Sequence, residues 1–341
     1  MKRLYTNLLF LVAIIAIIVM ILAFDVSFTE LWGYITRAGY WMIAILVLWL
    51  GLYCMNTLAW RTILKGSGPC NIGFWRLFQL TASGYALNSA TSIGLVSGEP
   101  YRVLELSRYV GTQRATSSVV LFVMMHIYSH FWFWLTSIAT FLVLALVGDV
   151  KLTGALALVL TLATVLCVAG IYLFLVGYRK GMIAAFIHLV ARVPGLRKWG
   201  QRFESNHADD LKRIDMQIAQ LRGQKRKNFL QSFFLEYVGR LLQSLEVFFI
   251  LLILGIDGGG TLGGLLLTLL HSFLILAFTS LFANLLGFIP LQLGGREGGF
   301  ALSVVGLGMT AEVGIFISIL CRVRELFYDC VGVVLMKLHR D

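Results

Sequence analysis

The uncharged runs of this chain constrain its fold more than any other feature. Leu8 to Phe24, Ala38 to Trp60, Ala115 to Gly148 and Leu152 to Tyr178 hold 17, 23, 34 and 27 consecutive residues without Asp, Glu, Lys or Arg. Gly258 to Gly295 is free of them too. A hydrocarbon layer of about 30 Å is crossed by roughly 20 helical residues. No water reaches the backbone at that depth, so each segment must satisfy its own amides, which a helix does and an open strand does not. The expected class is an all-α polytopic membrane protein. With 13% charged residues and a mean hydropathy of +0.85, an ordinary soluble domain is excluded.

The net charge of +11 is concentrated in one place. Tyr178 to Asn228 carries twelve Lys/Arg against four Asp/Glu, a net +8. A basic chain can bind nucleic acid, but these residues lie between membrane segments and form no nucleic-acid motif. Lys and Arg collect in loops on the cytoplasmic side of a membrane, so this loop is read as cytoplasmic. Within it, Met182 to Ala191 is apolar and flanked by Arg179, Lys180 and Arg192, a pattern suited to a helix lying on an anionic leaflet. The five cysteines are scattered through the chain, which gives neither a disulfide framework nor metal spacing.

Two blocks break the apolar pattern. The stronger runs from Gly287 through Pro290 and Leu291-Gln292-Leu293 to Gly294-Gly295-Arg296-Glu297-Gly298-Gly299. The weaker is Gly94-Leu95-Val96-Ser97-Gly98-Glu99-Pro100-Tyr101-Arg102. Each is a Gly-containing turn with a Glu and a nearby Arg, followed by a short helical segment, another Gly (Gly111, Gly306) and a long apolar helix. Irregular backbone at membrane depth is tolerated where protein or a watery cavity covers it. Ile72 to Val96, rich in small and hydroxyl residues, and Leu265 to Gln292 are expected to be re-entrant hairpins. Glu99-Pro100 suits a helix start, because Pro is tolerated at the first helical position. Six full crossings plus two hairpins would bring the N-terminus, the basic loop and the C-terminal Lys337 and Arg340 to the cytoplasmic side. That count also sets the blocks in opposite orientations. An inverted repeat, common in transporters, and a chance likeness of Gly-rich segments are both compatible with it. The halves would be 1–178 and 229–341, in one transmembrane domain spanning 1–341.

Charges inside apolar helices are the candidate functional residues, since each costs several kcal/mol unless it faces a partner or water. Phe229 to Ile256 carries Glu236, Arg240, Gln243 and Glu246 on one broad stripe. Glu236 and Arg240 can snorkel to an interface, whereas Glu246 lies deeper. In the last helix Arg322, Glu325 and Asp329 share a face by their spacing of three and four, and Arg324 points elsewhere. The candidate site is Glu99, Arg102, Arg296, Glu297, Arg322 and Glu325 around one polar cavity, with Asp329 and Glu246 beside them. Such a group serves either a charged head group or an internal ion-pair network. His126 and His130, one helical turn apart, have no third ligand nearby and are read as interhelical hydrogen-bonding residues rather than a metal pair.

These residues carry a resemblance. Gly98-Glu99 with Arg102 before Gly111, Pro290 ahead of Gly294-Gly295-Arg296-Glu297, then Gly306 and a late helix with Arg322 resemble the transmembrane region of lysylphosphatidylglycerol synthase and its flippase-like stand-alone relatives. Where that family has a Pro-Gly-Gly-Gly-like run before its Glu, this chain has Leu291-Gln292-Leu293 after Pro290 and Arg296 before Glu297. In the full synthase an aminoacylating domain follows the membrane region. This chain stops at Asp341, so the resemblance implies lipid translocation rather than synthesis, with anionic or phosphate-bearing membrane lipids as partners and no cofactor. The expected function is a non-catalytic lipid transporter of the cytoplasmic membrane. A membrane glycosyltransferase, with Glu99 or Glu297 as catalytic carboxylate, and a scaffold that docks partners through its basic loop are the alternatives.

Overall fold

The structure, a computed structural model, describes residues 28–90, 98–180, 226–285 and 295–338. Ten helices occur among them: α1 (Phe28–Ala38), α2 (Tyr40–Gly66), α3 (Phe74–Ala90), α4 (Gly98–Val110), α5 (Thr112–Val147), α6 (Gly154–Lys180), α7 (Arg226–Ile253), α8 (Leu262–Leu285), α9 (Gly295–Gly306) and α10 (Ala311–Leu335). The helix starts follow local chemistry. Pro100 sits in the first turn of α4, and Gly111, at φ +80°, is the single joint between α4 and α5. That φ is open to glycine at little cost, so the chain can change direction within one residue.

α2, α5, α6 (over Gly154–Val176) and α8 are long and apolar enough to cross a membrane. α6 is the plainest, with Leu158, Leu162 and Val165 on an exposed face. At about 1.5 Å per residue α7 and α10 are also long enough to cross, but they carry charges, and these are turned inward. Glu236, Arg240, Glu246, Arg322, Arg324 and Asp329 are all buried. The charges of α7 and α10 thus face the interior of the bundle, while Phe234 and Phe327 on the same helices are exposed.

Small residues and polar contacts hold membrane helices together, because lipid tails are as apolar as Leu and give no hydrophobic push. α2 packs on α7 in antiparallel sense, Trp41 stacking on Phe249 at 5.2 Å at one end while Met55 lies against Gly239 at the other. α3 packs on α10, where Ser83 donates to the Gly332 carbonyl at 2.8 Å. A Cβ on Gly332 would come within 2.6 Å of the Ala86 methyl, so the crossing needs a glycine. α5 packs on α8 in the corresponding way, with Phe133 edge-on to Phe273 and the Trp134 indole donating to Ser280 at 2.8 Å. The short helices pair with their neighbours, α4 with α3 and α5, and α9 with α8 and α10.

The expected hairpins are answered in part. Phe74–Ala90 is one 17-residue helix, about 26 Å at 1.5 Å per residue, and α4 returns alongside it. Leu262–Leu285 is unbroken because it holds no Pro and no Gly beyond Gly264. The return partner of α8 is therefore α9, and no turn falls between Leu265 and Leu285. The turn tips, Thr91 to Ser97 and Gly287 to Gly294, lie outside the described residues. So do the first expected span, Leu8 to Phe24, and the basic loop with Met182 to Ala191.

Candidate functional site

The charged face of α10 meets the start of α9. Arg296, second residue of α9, donates to Glu325 through Nη1. Glu297, the next residue, accepts from Arg322 at Oε1, 3.1 Å from Nη2 and 3.3 Å from Nε. Arg322 also lies 3.7 Å from Glu325 on its own helix. Charge alternates along this line: Glu297, Arg322, Glu325, Arg296. At 37% exposure the Glu297 side chain is the open end, whereas Arg322 is 7% exposed. The spacing of 322 and 325 along α10 sets both groups at the N-terminal end of α9, where the helix dipole favours carboxylates.

Arg324 points away from that face and meets a different partner. Its Nε and Nη2 hold Glu246 of α7 in a two-point clamp at 2.8 and 3.0 Å. The guanidinium lies 3.6 Å from the Trp49 ring centroid of α2. Such a pair, desolvated and stacked on an aromatic face, ties three helices together. Arg324 reaches Glu325 at 3.7 Å, which links the clamp to the open line. Glu246, expected at the site, is thus one step removed from it.

Adjacent residues of α3 connect this network to α4. Ser89 donates to Asp329 of α10 at 2.7 Å. Asn88 accepts from the Gly98 amide at 2.7 Å and donates to Glu99 at 3.2 Å. Glu99 in turn accepts from Arg102 at 2.9 Å. Arg102 is almost wholly buried, enclosed by the Tyr85, Phe122 and Trp60 rings and bonded to the Thr81 carbonyl. It fits because residue 84 is glycine: a Cβ there would stand 2.7 Å from the Arg102 Cζ.

The expectation of one cavity lined by six residues therefore resolves into a group of four and a separate pair. Arg296, Glu297, Arg322 and Glu325 come together. Glu99 and Arg102 form their own pair on α4, joined to the first group through Asn88, Ser89 and Asp329. The reason is chain geometry. Each block supplies the start of its own short helix, and each short helix packs within its own half of the chain.

A third polar group was not expected in this form. Glu236 and Arg240 do not snorkel; both are buried and face α5. His126 Nδ1 lies 2.9 Å from Glu236, and Arg240 donates to Ser129 at 2.7 Å and to the His126 carbonyl at 3.2 Å. The usable signal was a buried stripe of charge on α7 opposite two histidines on α5. Among the described residues no group of three His, Cys, Asp or Glu could hold a metal ion.

Arranged this way, the open line sets a half-exposed acid beside a buried guanidinium. Arg322 is buried and Arg296 largely so, while Glu297 is the more exposed of the two acids in the line. A phosphate group presents several oxygens to the planar fork of an Arg and so fits a guanidinium that a carboxylate also fits.

Residues 9–332 match the family model described as lysylphosphatidylglycerol synthase TM region. No curated protein and no solved structure matches the chain.

Proposed function

We propose, on the premise that this chain belongs to the lysylphosphatidylglycerol synthase TM region family, that it is a non-catalytic transporter moving a phosphate-bearing lipid across the cytoplasmic membrane. The observation that carries the reading is the difference in exposure across one ion pair: buried Arg322, flanked by Arg296, pairs with the half-open Glu297. A lipid phosphate that takes the place of Glu297 would leave every guanidinium paired and release the carboxylate to water. The cost of charge in the bilayer, about 2.5 to 3.5 kcal/mol per group on insertion scales, is then avoided both with and without the lipid.

The packing supports an inverted repeat as the moving frame. α2, α3, α4 and α5 correspond to α7, α8, α9 and α10, since α3 packs on α10 as α8 packs on α5, and each short helix lies between its neighbours in the same way. The corresponding helices α2 and α7 run antiparallel, which supports halves of opposite orientation. Glu99 and Glu297 then occupy equivalent positions on opposite sides, and a lipid passing between the halves would meet one after the other. This is the logic of alternating access around a central site. The charge asymmetry of the sequence supports a cytoplasmic position for the basic loop and both termini.

Purified protein in liposomes containing fluorescent phosphatidylglycerol, or a fluorescent lipid with a neutral head group, tests the reading. Protein-dependent transfer of the phosphatidylglycerol between leaflets, with the lipid chemically unchanged, is the expected result. A new covalent lipid product would instead make the chain an enzyme. Neither transfer nor product would favour a scaffold.

A further inference from the structure

The His126 and Glu236 pair lies outside the site above and has features that pairing alone does not explain. At 2.9 Å the contact between His126 Nδ1 and Glu236 Oε2 needs one shared proton, donated by the imidazole or by a carboxylic acid. The other oxygen, Glu236 Oε1, is buried and has no hydrogen-bond partner. Buried Tyr85 OH, Glu99 Oε2 and Arg102 Nε are unpartnered as well. An unmet buried polar atom costs about 1–3 kcal/mol, and such atoms in a native protein call for an explanation. Four on elements that meet around Tyr85 point to a species that comes and goes.

We infer that Glu236, paired with His126, is a proton-binding site that couples proton movement to lipid transport. This rests on the transport reading above. The incoming proton adds to the Glu236 carboxylate, whose free Oε1 is the available lone pair, and gives a neutral acid. No other bond is made or broken, and the site gains one positive charge. The gain is the loss of the carboxylate's negative charge, which leaves the existing positive charge of Arg240. Its hydrogen bonds go to neutral acceptors, Ser129 and the His126 carbonyl, so Glu236, one helical turn away, is its nearby compensation. Neutralising Glu236 leaves Arg240 uncompensated and favours a rearrangement that brings an anion closer.

The surrounding groups can transmit the change. From α5, His130 bonds the His126 carbonyl at 3.1 Å and stacks edge-on to its ring. From α3, Tyr85 lies 6.1 Å from His126 and 4.5 Å from the Arg102 guanidinium, which holds Glu99 on α4. From α2, Tyr53 lies behind Tyr85 at 5.6 Å and against Tyr328 of α10 at 5.0 Å, next to Asp329. Tyr237 of α7 is occupied by Thr136. His271 of α8 is held by Asp149. Glu246 and the Arg324 clamp lie ten residues along α7, about 15 Å away. Arg102 also faces His126 and Glu236 electrostatically, so among the described residues Tyr85 and Arg102 link the proton site to Glu99, and Tyr85 with Tyr53 and Tyr328 leads on towards Asp329.

The experiment uses proteoliposomes with fluorescent phosphatidylglycerol and an imposed pH difference, with an internal pH dye as second readout. One pH unit is worth about 1.4 kcal/mol per proton, so a one-to-one exchange shifts the steady-state leaflet ratio by about tenfold. We expect that shift in the wild type, with matching proton flux. We expect Glu236→Gln to transport down its lipid gradient while the pH-driven shift is lost. Infrared spectroscopy of the wild type should show a carboxylic-acid band that follows pH and disappears in Glu236→Gln, a readout independent of transport. Transport indifferent to the pH difference, a pH-driven shift retained in Glu236→Gln, or a band unaffected by that substitution overturns the coupling and leaves the transport reading standing. No lipid transfer by the wild type under any condition counts against the transport reading, and against coupling with it.

Discussion

Arg322 pairs with Glu297, whose side chain is 37% exposed, whereas two residues further along the same helix Arg324 grips both oxygens of Glu246, which is 1% exposed. The two pairs lie on different faces of α10 and differ in burial. One is open at its acidic end and the other is closed under Trp49. This difference separates a group that can exchange partners from one that fastens helices.

The closed pair sets the first prediction. Removing one partner from a buried ion pair costs about 3–5 kcal/mol, because the remaining charge is stranded. Glu246→Gln and Arg324→Met should each lower the unfolding temperature in detergent substantially. The double substitution Glu246→Leu with Arg324→Met should recover much of the loss. A single variant as stable as the wild type would contradict the role given to the clamp.

Close approach sets the second. Gly84 leaves room for the Arg102 guanidinium, and Gly332 lets α10 touch Ala86 and Ala82 of α3. Overpacking of a tight interior costs about 1–3 kcal/mol. Gly332→Val should destabilise by that order in chemical denaturation. Gly84→Val should displace Arg102 from Glu99, which is read as reduced transport beyond any loss of stability. Wild-type behaviour from both variants would mean the crossings are looser than described.

The third concerns orientation. A cysteine introduced at Arg197 should react with a membrane-impermeant maleimide only after the cells are opened. Labelling from outside intact cells would reverse the assigned topology.

The apolar runs made the helical membrane class legible in the sequence, and the need to pair buried charge marked Arg296, Glu297, Arg322 and Glu325 as a group. Partner choice was less legible. Arg324 was set aside because its spacing turns it from the Arg322 face, yet Glu246 waits for it on α7, and that meeting depends on how α7 and α10 cross. Glu236 and Arg240 were open to snorkelling because they lie near the start of an apolar run. α7 begins at Arg226, so both sit two to four turns inside the helix, opposite His126. The α8 return was misplaced because Leu265 to Gln292 combines an unbroken helix with residues that follow it, and the Gly and Pro that permit a turn all come after Leu285.

The exchange of Glu297 for a lipid phosphate on Arg322 is the central claim, and transport by paired variants in liposomes tests it most directly. A hydrogen bond to a charged group is worth about 1.5–3 kcal/mol, so Arg322→Gln should weaken binding of fluorescent phosphatidylglycerol about ten- to hundredfold and reduce transfer accordingly. Glu297→Gln should bind the lipid at least as tightly as the wild type yet transfer it more slowly, because the carboxylate that displaces the phosphate is gone. Unchanged transfer by both variants, each shown to be folded by its unfolding transition, would make the network structural and contradict the account.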